Sequence, residues 1–303
     1  MITLENVYQL TGILLFIFAG YTLCDKQNKQ RFGTAAFWAL YGVTFSFGKV
    51  LPDRVVGLIV VVMAIIAALK RTGKGAYNES TMEQKLASAD RFGNGLFVLV
   101  LMSPIVIFGV TLLTSMGALV GLGISAVVAL IATLLVTRTS PGTALNEGRR
   151  LADAIGWAAI LSQFLAALGA LFAKADVGTV IAQLVTNVVS VESKVAVVAA
   201  YCVGMALFTA VMGNAFAAFA VITTGIGIPL IIKIHGADPA ILGVLGMLAG
   251  YCGTLMTPMA ANFNIVPAAL LEMKDQYGVI KAQVPVALLM LAVHVVLICV
   301  LAF

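Results

Sequence analysis

Apolar runs separated by short polar joints follow one another along this chain. A helix rises about 1.5 Å per residue, so about 20 apolar residues cross the hydrocarbon core of a bilayer. On that ruler, helices are predicted over 4–23, 34–50, 55–69, 95–114, 117–136 and 151–173, then less regularly over 178–190, 195–212, 213–232, 239–271 and 280–303. The predicted fold is all-α: a polytopic transmembrane helical bundle with broken helices or re-entrant hairpins in its C-terminal half. The longest polar stretch, Lys70 to Asn94, reads as a solvated connector with a short surface helix. It divides the chain into N-terminal transmembrane helices with a cytoplasmic loop, 1–94, and a transmembrane transport region with discontinuous helices, 95–303.

Composition excludes a water-soluble alternative. Hydrophobic residues make up 61% of the 303 and charged residues only 10%, against about 45–50% and 25% in soluble domains. So few charges cannot cover a soluble surface, whereas lipid-facing helices need none. The net charge of +5 would suggest nucleic acid in a soluble protein. Here the cations sit in short joints between apolar runs, which is a topology signal, and no nucleic-acid partner is expected. The first run starts behind Glu5 and shows no small-residue cleavage site after Tyr21, so it reads as a first span and not as a removed signal peptide.

Lys and Arg alternate between joints. Lys26, Lys29 and Arg31 fill the first, Lys70, Arg71, Lys74, Lys85 and Arg91 the third, and Arg138, Arg149 and Arg150 the fifth. The joints between them carry only Lys49 and Arg54, nothing, and Lys174. This places the basic joints in the cytoplasm and the N-terminus outside. The sequon Asn78-Glu79-Ser80 then never meets the glycosylation machinery.

From Leu151 onward polar residues and helix breakers enter the apolar runs. Asp153, Gly156, Ser162 and Gln163 come first, followed by Thr186 and Asn187, by Gly213 and Asn214, and by the run ITTGIGIP with Thr223, Thr224 and Pro229. The densest stretch is GTLMTPMAANFN, residues 253–264, and no charged residue lies between Asp238 and Glu272. Bare backbone groups are not tolerated in lipid, so such a stretch must be buried in protein or line a wet cavity. Secondary transporters build their sites in this way, with half-helix amides facing anions and freed carbonyls facing cations. Gly253 permits unusual dihedrals, Pro258 removes a donor, Thr254 and Thr257 offer hydroxyls, and Asn262 and Asn264 offer amides. These six are the first candidates for substrate or ion binding, with Ser162, Gln163, Asn214, Thr223 and Thr224 next.

Other signals read structurally. Pro104 predicts a transmembrane kink. Gly117-x-x-x-Gly121 and Gly246-x-x-x-Gly250 mark close packing within the chain. Cys24, Cys202, Cys252 and Cys299 lack metal spacing and read as free thiols. His294 reads as a satisfied neutral histidine, although it and Asp153 are the two groups at apparent membrane depth able to carry a proton. Zincin, nucleophile-elbow, Walker and Cys/His motifs are all missing from the sequence, so no catalytic role is assigned and no cofactor is expected beyond a coupling Na⁺ or H⁺.

The run from MGNAFAAFAVITTGIGIP through GYCGTLMTPMAANFNIVPAALLE to KAQVP resembles the C-terminal signature of a family of bacterial membrane proteins regarded as the larger subunit of a two-component 5-oxoproline (pyroglutamate) transporter. The resemblance is closest from Glu147 to Val286. It implies a smaller membrane subunit as partner, a small organic anion as substrate, and residence in the bacterial cytoplasmic membrane. LSQFLAALGALFAKADVG also resembles, loosely, segments of the ion transporter superfamily, where paired re-entrant hairpins form the site. The expectation is a secondary transporter subunit driven by a cation gradient. A non-transporting scaffold or assembly subunit and a membrane enzyme without a recognised motif are the alternatives.

Overall fold

Every apolar run becomes helix in the computed structural model, which describes residues 2–77 and 82–303 and contains no strand among them. Among the described residues, six helices are long and apolar enough to cross a membrane: Leu4–Cys24, Gly95–Leu113, Ala118–Thr137, Lys194–Met212, Ala215–Ile232 and Gly278–Leu301. The chain is therefore an all-α, multi-pass membrane protein. By contacts it divides into two compact units, Met1–Gly156 and Trp157–Phe303.

The first unit holds α1 (Leu4–Cys24), α2 (Arg31–Phe47), α3 (Asp53–Ala68), α4 (Met82–Phe92), α5 (Gly95–Leu113), α6 (Ala118–Thr137) and α7 (Pro141–Ile155). Helices α1 and α2 pack as an antiparallel pair, as do α5 and α6. Helix α5 continues through Pro104, and Gly121 of α6 lies against Ile107 and Val110 of α5. The surface helix expected in the polar connector is α4, and the sequon at 78–80 lies outside the described residues.

The run 151–173 is not one helix. Gly156 adopts φ +53°, with its N–H bonded to Ala152 O, and this ends α7 before α8 starts at Ala158. A left-handed cap residue of this kind terminates helices even inside apolar sequence. Asp153 thus belongs to α7, an amphipathic helix carrying Glu147, Arg149 and Arg150, which is too charged to span alone.

The second unit comprises α8 (Ala158–Lys174), α9 (Val177–Val188), α10 (Lys194–Met212), α11 (Ala215–Ile222), α12 (Pro239–Leu255), α13 (Ile265–Leu270) and α14 (Gly278–Leu301). Its core joins Val197, Tyr201 and Met205 of α10 to Leu242 and Ala249 of α12 and Ile298 of α14. Helices α8 and α9 form a hairpin turning at Asp176. At 12 residues, α9 rises about 18 Å, well short of a bilayer core of about 30 Å.

ITTGIGIP does not interrupt its helix. Helix α11 runs on as a π-helical stretch over Thr223–Ile232. The wider turn suits Pro229, which lacks an N–H and whose ring would clash with the carbonyl four residues back in an α-helix. The stretch packs tightly, since a Cβ on Gly225 would collide with the backbone of Gly178 in α9.

Candidate functional site

Two helix breaks meet in the second unit. Helices α10 and α12 run parallel in close contact: Gly246 lies against the Tyr201 ring, Gly250 against Met205 and Thr209, and Gly253 against the backbone of Ala206. Small residues on α12 make this approach possible. Helix α10 ends at Met212 with Gly213 at φ +67°, and α12 ends at Leu255. A side chain at Gly213 would strike the carbonyl of Met259, so the chain just beyond α12 lies on the cap of α10. The break expected in GTLMTPMAANFN is present: residues 256–264 are non-helical, and α13 begins at Ile265.

The polar side chains of this junction first serve to hold it. Thr257 donates its hydroxyl to Ala210 O at 2.7 Å, tying one break to the other, and accepts from Met259 N–H at 3.2 Å. Asn264, fully buried, donates Nδ2 to Thr254 O at 2.8 Å and Thr257 O at 2.6 Å, which closes the loop between α12 and α13. Thr254 donates to Tyr251 O of its own helix. Asn214 caps α11, its Oδ1 accepting from Phe216 N–H at 2.9 Å and Ala217 N–H at 3.4 Å.

Two oxygens remain without a partner. Asn264 Oδ1 and Thr209 Oγ1 are buried and receive no hydrogen bond, and both residues have no exposed surface. With Nδ2 fixed on two carbonyls, the Asn264 amide cannot be turned over to satisfy its oxygen.

The other expected residues are dispersed. Pro258 and Asn262 are exposed. Thr223 bonds the Tyr201 hydroxyl at 2.9 Å, and Thr224 donates to Ala220 O and Val221 O in its own helix. Gln163 is half-buried on α8, whereas the side chain of Ser162, on the same helix, lies outside the described residues. His294 is buried with Nδ1 2.6 Å from Met290 O, and the Sγ of Cys252 lies 3.9 Å from it. All four cysteines are free, and no group of His, Cys, Asp or Glu suited to a metal occurs among the described residues.

The first unit contains a polar centre that the sequence did not single out. Arg149, 4% exposed, reaches from α7 to Tyr21 O at the end of α1, to Asp25 Oδ2 just beyond it, and to Ala76 O. Its guanidinium stands 4.9 Å from the centre of the Tyr77 ring. Asp153 accepts from Trp38 Nε1 at 2.7 Å and from the Tyr77 hydroxyl at 2.8 Å. Asp25 also accepts from Ala76 N–H, and Asn28 and Thr34 hold Gly73 O. Residues 71–77 therefore form a strap bonded to the ends of α1 and α2 and to α7, bringing the first, third and fifth joints together. Burial alone would raise the pKa of Asp25, but the N–H groups of Ala76 and Gln27, the Arg149 guanidinium and the Asn28 N–H outweigh it and hold the carboxyl below its ordinary value. Burial dominates at Asp153 and at Tyr77, and both are pushed up.

Residues 5–303 match a family described as a protein of unknown function, DUF979. The chain belongs to this family. No curated protein and no solved structure matches it significantly.

Proposed function

We propose that this DUF979 protein is a subunit of a secondary active transporter for a small organic anion, driven by a cation gradient. What supports the reading is the pair of facing breaks, Gly213–Asn214 and residues 256–264, built from glycine, threonine and asparagine in an otherwise apolar unit. Lipid does not tolerate such backbone, and a scaffold has no use for it, whereas a transporter uses it to form a site. The resemblance of this region to the larger subunit of a two-component system names 5-oxoproline as the substrate and a smaller membrane subunit as the partner. The Lys/Arg alternation supports a topology with the N-terminus outside and the strap of residues 71–77 on the cytoplasmic face, and the same resemblance suggests the bacterial cytoplasmic membrane.

The test is uptake of labelled 5-oxoproline into proteoliposomes holding the chain with its smaller subunit, under Na⁺ or H⁺ gradients imposed separately. Accumulation that collapses with the cation gradient is expected. A complex that assembles but accumulates no 5-oxoproline under either gradient overturns the reading in favour of an assembly subunit.

A further inference from the structure

The junction in the second unit leaves buried side-chain oxygen unused. Helices α10 and α12 are parallel and end side by side, so the negative ends of two helix dipoles lie together. The adjoining N-terminus of α11 is already closed, because Asn214 Oδ1 occupies the amides of Phe216 and Ala217. In the loop itself the N–H groups of Phe263 and Asn264 are bonded to Ala260 O, and those of Ile265 and Val266 to Ala261 O. The N–H groups of Thr257, Ala260, Ala261 and Asn262 make no bond among the described residues, and the buried side-chain atoms left over here are both oxygens. Asn264 Oδ1 can only accept, and Thr209 Oγ1 sits between Ala206 and Ala210, whose backbones meet Gly253 and Thr257.

Leaving a buried acceptor empty is costly, and natural structures rarely do so without a ligand or a role. We propose that this junction is a binding site for a dehydrated alkali-metal cation, with Asn264 Oδ1 and Thr209 Oγ1 among its ligands. The inference rests on the transport reading and names the coupling ion of that transporter. Three neighbouring choices are disfavoured. A proton needs a group that titrates, and neither an amide oxygen nor a hydroxyl does so in the working range. A divalent ion calls for carboxylates, and no Asp or Glu occurs between Lys194 and Asp238 or between Asp238 and Glu272. An anion would find no Lys or Arg in these stretches except Lys233, which is exposed. Carbonyl and amide oxygens at broken helix ends are the ligands that sodium-coupled carriers use.

The decisive variant is Thr209→Val. The Thr209 hydroxyl bonds nothing in the protein, so a purely structural residue would tolerate the isosteric methyl, and the cation-free protein should melt no lower than wild type. Binding of radioactive Na⁺ to the full-length chain in detergent, with choline as the inert cation and Li⁺ and K⁺ as competitors, should be saturable. Its affinity should fall by about tenfold or more in Thr209→Val, the effect of removing one buried polar ligand. Asn264→Ala should abolish it, although this variant also loses the ties to Thr254 and Thr257 and is read only beside Thr209→Val. Absence of saturable binding of any alkali ion, or unchanged affinity in Thr209→Val, overturns the proposal. Failure of the two readings is distinguishable. Uptake driven by protons in a complex that binds no alkali ion defeats the cation site and leaves transport standing. Saturable, Thr209-dependent binding without any 5-oxoproline uptake does the reverse.

Discussion

In the first unit a buried arginine and two half-buried aspartates gather around a strap of loop; in the second, the buried polar groups at the helix junction are hydroxyls, amides and carbonyls. The ionic centre gathers groups from four segments, α1, α2, the strap and α7, and holds them by bonds to both terminal nitrogens of Arg149, although Arg149 Nε has no partner among the described residues. The neutral junction is held by a few hydrogen bonds and keeps two oxygens unused. An ion cluster bonded across several segments fixes one arrangement of them, because any departure leaves a charge in a poor dielectric. A neutral junction with spare acceptors can take up an ion and release it without leaving a bare charge behind. If the proposed function holds, the contrast gives anchoring to the first unit and exchange to the second.

The strongest way to break this comparison is to remove the arginine. Arg149→Ala leaves the Asp25 carboxylate without its cation and Tyr21 O and Ala76 O without a donor. Removing one partner of a buried pair typically costs about 3–5 kcal/mol. The expected outcome is a large drop in the melting temperature of the purified protein, with Lys74 in the strap becoming cleavable by trypsin. Wild-type melting with an uncut strap would show that the centre anchors nothing.

Acid should loosen the same centre less severely, since protonating Asp25 leaves the bonds from Arg149 to Tyr21 O and Ala76 O in place. Asp25 has a folded pKa below its unfolded value, so its stabilising contribution is complete above about pH 4 and is lost as pH falls through the folded pKa. Asp153 has the opposite sign: its folded pKa is raised, so its contribution is complete at acid pH and fades as pH rises through the folded value. The melting temperature of the wild type should therefore fall below about pH 4. In Asp25→Asn the part of that fall due to Asp25 should be missing, so the two proteins should converge as the pH drops through this range.

How much of this was legible in the sequence depends on whether the cause was local. Helix α1 was expected over 4–23 and is found at Leu4–Cys24, because length and apolarity alone define a span. The break at residues 256–264 was legible for a similar reason, as proline, glycine and asparagine act on the backbone where they stand. The end of α7 at Gly156 was hidden by the apolar residues after it, which outweighed one left-handed glycine in a hydropathy reading. Arg149 was counted as one cation in a joint. Its partners Asp25 and Ala76 lie 124 and 73 positions away, and no local pattern announces such a meeting. The two orphaned oxygens were out of reach for the opposite reason: Asn264 was already a candidate, but which of its atoms is spare depends on where Nδ2 is held.

The smallest expected effect tests where the exchanging region stops. Thr224 was a candidate on the same grounds as Thr257, being a hydroxyl in a glycine-rich apolar run. Its hydroxyl, however, returns to Ala220 O and Val221 O of its own helix, and the residue is exposed. Carbonyls within a helix already accept from the backbone four residues on, so this bond is redundant, and β-branched valine preserves the shape. Thr224→Val should therefore shift stability by less than about 0.5 kcal/mol and leave both 5-oxoproline uptake and Na⁺ binding at wild-type levels. If uptake falls while the protein melts as before, the exposed face of the π-helical stretch is part of the site. The boundary would then lie beyond the α10–α12 junction, and the wider π turn around Pro229 would be a functional feature of the unit as well as an accommodation of proline.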